Sequence, residues 1–194
     1  MARPREFDED KVLDQAMQVF WSKGYEGTSL DDLCDATGLA RSSLYGAFGD
    51  KRGVYLRALD LYEENAATRI REAFNRPVPA RQAVADFLAQ LIDSIVAGPG
   101  RRGCFIGNCA AEIAKGDRDA AAHVKRSLRR VELAFREGLD AARARNDLPP
   151  AADTRAVARF LTAGIQGLRL VGKANPDREL LGDVASTMLR CLDR

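Results

Sequence analysis

Residues 24–51, GYEGTSLDDLCDATGLARSSLYGAFGDK, decide the fold. Ser29 precedes Leu30 and Leu33, and Asp32 lies three residues after it. That is the spacing of a capping box, in which each side chain accepts a hydrogen bond from the other residue's backbone N–H. Gly38 stops this helix after about two turns. A second short helix is predicted over about residues 41–48, and Gly49-Asp50 breaks it. Two short helices joined through a glycine have the form of a helix-turn-helix. By itself that arrangement is common and says little about DNA.

Outward from this pair, apolar residues recur at helical spacing and no alternating strand pattern stands out. Upstream, Val12, Leu13, Ala16, Met17 and Phe20 form one stripe, opened by Asp8 as N-cap and closed at Gly24. Downstream, Val54, Tyr55, Ala58, Leu61 and Tyr62 predict one side of a long connecting helix over about residues 50–75. Arg76-Pro77-Val78-Pro79 interrupts it. Five further stretches follow: a stripe from Val84 to Ile95, a helix from about Cys104 to Lys115, a long helix from Ala121 to before Pro149, and a pair over about 151–173 and 177–192. The chain is therefore read as all-α. A three-helix N-terminal domain covers 1–52, and a helical C-terminal domain covers 53–194.

Composition narrows the function. The chain has 194 residues, 46% hydrophobic and 30% charged, a globular rather than a disordered balance. No stretch approaches the roughly 18 apolar residues of a membrane span. The charged start MARPREFDED has no apolar core of a secretory signal, so a cytoplasmic location is expected. Cys34, Cys104, Cys109 and Cys191 form no CxxC pair, which argues against a disulfide framework. His123 is the one histidine, so neither a histidine zinc site nor a histidine acid–base pair fits within one chain. With no phosphate-cradling glycine loop, no cofactor, metal or enzymatic role is expected.

The string Gly24-Tyr25-x2-Thr28-Ser29-Leu30-Asp31-Asp32-Leu33, then Ala36-Thr37-Gly38-Leu39, then Ser43-Leu44-Tyr45-x2-Phe48-x2-Lys51 resembles the TetR/AcrR family of bacterial transcriptional regulators. The resemblance is close over about residues 7–60; beyond that only the helical layout matches. It implies a homodimeric repressor that binds a palindromic operator and leaves it when a small-molecule effector, or a thiol-reactive signal, spreads the two reading heads. A helical small-molecule or redox-sensing protein without a primary DNA role is the alternative.

The first turns of the second short helix would meet base edges in a major groove. Arg41, Ser42 and Ser43 occupy them, and Gly46 lies one turn further on. Arg41 suits guanine O6 and N7, or a phosphate. By the resemblance, Tyr45 and Lys51 meet phosphate. Thr28 and Ser29 open the first short helix, whose exposed N–H groups favour a phosphate; Ser29 is equally a plain cap. Three departures stand out. Ala40 holds the position where the family usually has a capping Ser or Thr, a loss of about 1 kcal/mol. Gly46 and Ala47 replace larger residues that commonly add contacts. Arg3 and Arg5 form a basic arm suited to phosphate or the minor groove.

In the C-terminal half, Gly103-Cys104-x3-Asn108-x3-Glu112 is similar to a run in one branch of the family, at the start of a helix facing the effector pocket. The three polar residues share one helical stripe and read either as ligand contacts or as ties between helices. Cys104, expected in a first helical turn behind Arg101 and Arg102, reads as a thiol of lowered pKa or as a small buried hydrophobe. Phe74, Phe87, Leu91, Phe105, Phe135 and Gln166 complete the expected pocket, which suits an apolar effector. For the dimer seam, Phe160, Ala163, Gly164, Gly167, Leu168 and Val171 are expected from one helix, with Leu181, Val184 and Met188 from the last. Two such pairs would form a four-helix contact.

Overall fold

The computed structural model describes residues 7–113 and 116–193, so Arg3, Arg5 and the expected helix end at Lys115 lie outside the described residues. Among the described residues nine α-helices and no strands occur: α1 (Glu9–Lys23), α2 (Leu30–Thr37), α3 (Arg41–Phe48), α4 (Lys51–Asn75), α5 (Ala80–Ala97), α6 (Phe105–Glu112), α7 (Arg118–Ala144), α8 (Thr154–Ala174) and α9 (Arg178–Leu189). Short 3-10 turns follow α5 and α9. No helix among the described residues is long and apolar enough to cross a membrane.

Local chemistry places the starts. The Asp8 side chain accepts from the Asp10 and Lys11 N–H groups, and the Ser29–Asp32 capping box is complete. Gly38 takes the left-handed conformation, φ +67°, that turns α2 into α3. Ala40 is the N-cap of α3 and makes no side-chain capping bond.

Two cores divide the molecule. The first joins Val12, Leu13, Ala16, Met17 and Phe20 of α1 to Leu33, Leu44 and Phe48 of the helix-turn-helix and to the first half of α4 as far as Tyr62. Leu59 is buried there, while Leu61, expected on the inner side, is half-exposed; the inner stripe of α4 runs through Tyr55, Leu59 and Tyr62. This core also contains Phe105, Ile106 and Cys109 of α6. The second core starts at Ala67 and runs through α5, α7, α8 and α9. There α4 and α7 come close enough for the Phe74 ring to occupy the space where Gly138 lacks a Cβ. The long helix α4 therefore belongs to both cores and carries the head on the body.

Because Ala40 leaves the start of α3 uncapped, Ala40→Ser is expected to stabilise the protein by about 1 kcal/mol. Thermal unfolding at fixed protein concentration checks it, and an unchanged or lowered midpoint would contradict this account of the cap.

Candidate nucleic-acid interface and effector cleft

Packing of Leu44 and Phe48 into the first core fixes which way α3 faces. Arg41, Ser42, Ser43 and Gly46 stand exposed, and Tyr45 is half-buried beside them. The Arg41 guanidinium lies 3.3 Å from Asp31, with side chains 66% and 83% exposed. So wet a pair contributes little and exchanges readily for a base or phosphate. Lys51 rests 4.6 Å above the Tyr25 ring, at the N-terminus of α4. Ser29 is exposed, but its hydroxyl is committed to the Asp32 N–H. Bonds from Lys23 and Ser29 hold the Asp32 carboxyl down at about 2. Thr28 differs from expectation. It is 2% exposed and its hydroxyl donates to the Gly24 carbonyl at 2.6 Å, so its side chain offers nothing to a phosphate.

Polar ties from three arginine and glutamate side chains, among others, join this head to the body. Arg52, next to Lys51 in the first turn of α4, makes a two-pronged bond to Asp117 at 2.9 Å and a further one to Asp119. The pairing holds the Asp117 carboxyl far below the usual range and the guanidinium far above its own. Arg52 is therefore committed to the body rather than the reading surface. Glu112 accepts from the Glu26 N–H at 3.0 Å, just after α1. Arg102 donates to the Gln18 side chain at 2.8 Å and lies 4.4 Å above the Trp21 ring.

Between head and body lies a cleft of about 470 Å³. Met17, Gln18 and Trp21 of α1 form one side, with Tyr62, Asn65 and Arg69 of α4, Phe87 and Leu91 of α5, and Arg102 and Arg169 around them. A smaller inner chamber shares Tyr62, Phe87 and Arg169 with it and adds Glu63, Cys104, Ser127 and Gln166. Of the expected pocket residues, Phe87 and Leu91 line the cleft, and Phe87, Cys104 and Gln166 line the chamber.

The other expected pocket residues have structural work. Phe74 and Phe135 lie in the second core, their rings edge to face at 6.3 Å. Phe105 is 1% exposed among Tyr55, Tyr62 and Trp21, in the first core rather than on a pocket wall. Asn108 donates to the Arg102 carbonyl and accepts from Lys173, and Glu112 is the tie to Glu26. Both join segments of the chain, one of the two readings their spacing allowed.

Cys104 is the N-cap of α6 rather than a first-turn residue, and it is 7% exposed. Burial pushes its thiol up, outweighing hydrogen bonds from the Gly107 and Ile106 N–H groups and Gln166. Of the two readings its sequence position allowed, this matches the small buried hydrophobe and goes against the lowered pKa. The nearby cation, Arg102, is engaged with Gln18 and Trp21, while the Tyr62 hydroxyl stands 3.8 Å from the sulfur.

What sequence reading missed is the charge in the cleft. Arg69, Arg102 and Arg169 come from three elements distant in sequence, and Trp21 from a fourth. The one local signal is Arg169 set between Leu168 and Leu170. Its guanidinium donates to the Tyr62 hydroxyl, and its buried Nε has no partner among the described residues. Burial lowers its pKa to about 10, so it stays charged near neutrality. In the chamber, Glu63 is 2% exposed, 3.2 Å from Arg130. Burial, aided by Asp60 and Glu64 and opposed by Arg130 and Arg126, pushes it up to about 7.

On the far side of the body, Phe160, Ala163, Gly167 and Val171 of α8 and Val184 of α9 are exposed, continuous in pattern with Leu170 and Leu180. Leu168, Leu181 and Met188, expected at a dimer seam, are instead 1%, 0% and 3% exposed, buried in the chain's own core. Gly164 is half-buried against Met188, whose sulfur would lie 2.8 Å from a Cβ at that position.

Comparison with known proteins agrees with this architecture. Residues 12–58 match the family model for bacterial regulatory proteins of the tetR family, and residues 80–188 match a tetracyclin repressor-like C-terminal domain. The chain is 33% identical to the HTH-type transcriptional repressor ComR of Escherichia coli, over 97% of this chain and 90% of that protein. It is 33% identical to the HTH-type transcriptional regulator YezE of Bacillus subtilis over the full length of both. A cysteine mutant of the TetR family regulator CifR, solved with 26-bp operator DNA, superposes with a TM-score of 0.79 at 32% identity, covering 97% of this chain and 98% of that one.

Two outcomes follow from the buried groups. The folded state keeps the Glu63 proton to a higher pH than the unfolded chain, so this residue's contribution to stability falls as pH rises from about 4.5 to about 7. Glu63→Gln should flatten that part of the stability profile, compared by denaturant unfolding at about pH 5 and about pH 8; an identical profile would contradict a buried, raised carboxyl. Iodoacetamide should alkylate Cys104 more slowly in the folded protein than in the denatured chain, measured by timed peptide mapping. Equal rates would mean an accessible thiolate.

Proposed function

The chain belongs to the TetR family of transcriptional regulators, and from that premise we propose that it is a homodimeric repressor whose paired heads leave a palindromic operator when the cleft between head and body is filled. The observation that carries this reading is the position of the cleft. Its walls come from α1 of the head and from α4, α5 and α8 of the body, so an occupant touches both parts that must move relative to each other.

The reading surface supports the DNA half. α3 offers Arg41, Ser42, Ser43 and Gly46 to a major groove, with Tyr45 and Lys51 placed for the flanking phosphates. The exposed N-cap of α2 at Ser29 is a further backbone site for phosphate. The exposed apolar stripe of Phe160, Ala163, Gly167 and Val171 with Val184 supplies the face that a second copy would cover, setting two heads about a two-fold axis. Phe87 and Leu91 give the effector an apolar wall. Reversible filling of the cleft is preferred to thiol chemistry because burial raises the Cys104 thiol. In this reading the protein acts in the cytoplasm, on DNA, with no catalytic step.

Fluorescence anisotropy on fragments upstream of its own gene tests the proposal. Salt-dependent binding to a palindrome is expected; no binding to any fragment at low salt would overturn it. Arg41→Ala should cost about 1–3 kcal/mol on the operator and little on a scrambled site, whereas Lys51→Ala should weaken both alike and lower the salt slope by about 1. Equal losses for Arg41→Ala on both DNAs would reassign Arg41 to a phosphate.

A further inference from the structure

We propose that the cleft between head and body takes a small organic carboxylate, its anionic end held by Arg169 and its apolar body lying against Trp21, Phe87 and Leu91. The inference rests on the effector reading above for its consequence, release of DNA, and on the cleft alone for its chemistry.

Charge is the first argument. Arg69, Arg102 and Arg169 line the cleft, against one acid, Asp14. A cationic ligand is thereby disfavoured. The second argument is unfinished hydrogen bonding. Arg169 makes no ion pair among the described residues, and its bond goes to a neutral hydroxyl, that of Tyr62. Its Nε has no acceptor, and neither does the indole N–H of Trp21; both are buried. A buried cation without a counter-charge and buried donors without acceptors are each unfavourable. An acceptor-only group that is planar and negative supplies Arg169 with both the counter-charge and the acceptor it lacks, and a carboxylate matches the guanidinium fork. Glu63 lines the inner chamber, which Arg169 also borders, and is paired with Arg130.

Size and lining supply the third argument. About 470 Å³ is far more than an inorganic anion needs and falls in the range of small-ligand sites. Trp21, Phe87 and Leu91 provide apolar surface that such an ion would leave uncovered. The position also has a consequence. Arg102 holds α1 through Gln18 and by stacking on Trp21. A carboxylate in the same cleft competes for that guanidinium and loosens one of the ties between head and body.

Trp21 is the one tryptophan of the chain, so its emission in the full-length protein reports on the cleft directly. Octanoate and 4-phenylbutyrate would be titrated against octanamide, 4-phenylbutyramide and inorganic phosphate, with operator binding followed in parallel. We expect at least one acid to change Trp21 emission saturably, at least about tenfold more tightly than its amide, a difference set by one charged contact. Phosphate should not compete. Arg169→Gln should abolish the preference of acid over amide, and Arg169→Lys should retain part of it. Should Arg169→Gln fail to fold, the acid-to-amide ratio in the unaltered protein decides. Acids no tighter than amides, phosphate competing as well as the acids, or a preference unchanged in Arg169→Gln would each overturn the proposal. Acid binding without loss of operator affinity supports the site and overturns the effector reading. Operator binding with no acid preference overturns the site and leaves the regulator intact.

Discussion

Phe105 stands among the rings of Trp21, Tyr55 and Tyr62, and the joining of head to body depends on that burial. The ring comes from α6, in the body half of the sequence, yet it completes the core of the head. A three-helix head of this size has little apolar surface of its own to bury, and small cores are marginal. By taking Phe105, Ile106 and Cys109 from α6, the head gains a core and loses its independence. The polar ties, Arg52 to Asp117, Glu112 to the Glu26 N–H and Arg102 to Gln18, surround this ring cluster and set its register. Aromatic packing is non-directional compared with these bonds, so the polar ties define the angle of the head and the rings resist its detachment.

The same seam explains a charge pattern that at first argues against a DNA-binding role. The chain carries 30 Lys and Arg against 28 Asp and Glu, and residues 1–60 carry eight against eleven. Asp8, Asp32 and Asp50 sit at helix starts, where their carboxylates satisfy backbone N–H groups, and Arg52 is bound to the body. Among the described residues around α3, this leaves Arg41, Ser42 and Ser43 exposed and Lys51 half-buried. Such a surface suits base-dependent contacts better than general attraction to phosphate, since neutralised phosphates supply nearly all non-specific affinity.

The local features of the fold were legible in the sequence because their causes are local. The Ser29–Asp32 box, the left-handed Gly38 and the uncapped Ala40 each depend on residues within a few positions. Faces were legible only in part. α8 carries apolar residues on more than one side, so periodicity grouped Phe160 and Val171, which are exposed, with Leu168, which is buried. Which side is inner is decided by α9, whose Leu181 and Met188 pack inward. The two readings of Cys104 stayed open for a related reason: a thiol's pKa depends on what surrounds it in space, and Tyr62 and Gln166 lie far away in sequence. The arginines of the cleft left almost no trace, because 69, 102 and 169 meet only when α4, the turn after α5 and α8 are packed together.

That a cleft rich in cations and poor in acceptors lies at the seam bears on how a signal would pass. A ligand shifts an equilibrium between head positions only by the difference in its affinity for the two. Moving a population from about 1:99 to 99:1 requires roughly 10⁴-fold, about 5.5 kcal/mol, of such difference. Contacts to the body alone contribute nothing to it, because they are equal in both positions. Contacts to Gln18 and Trp21 of α1, and to Arg102, which binds them, differ between positions by construction. The coupling is reciprocal, so operator DNA, by fixing the angle of α1, must weaken any ligand of this cleft by the factor by which that ligand weakens DNA. A site confined to the second core, among Phe74, Phe135 and Leu139, would lack that leverage whatever its affinity.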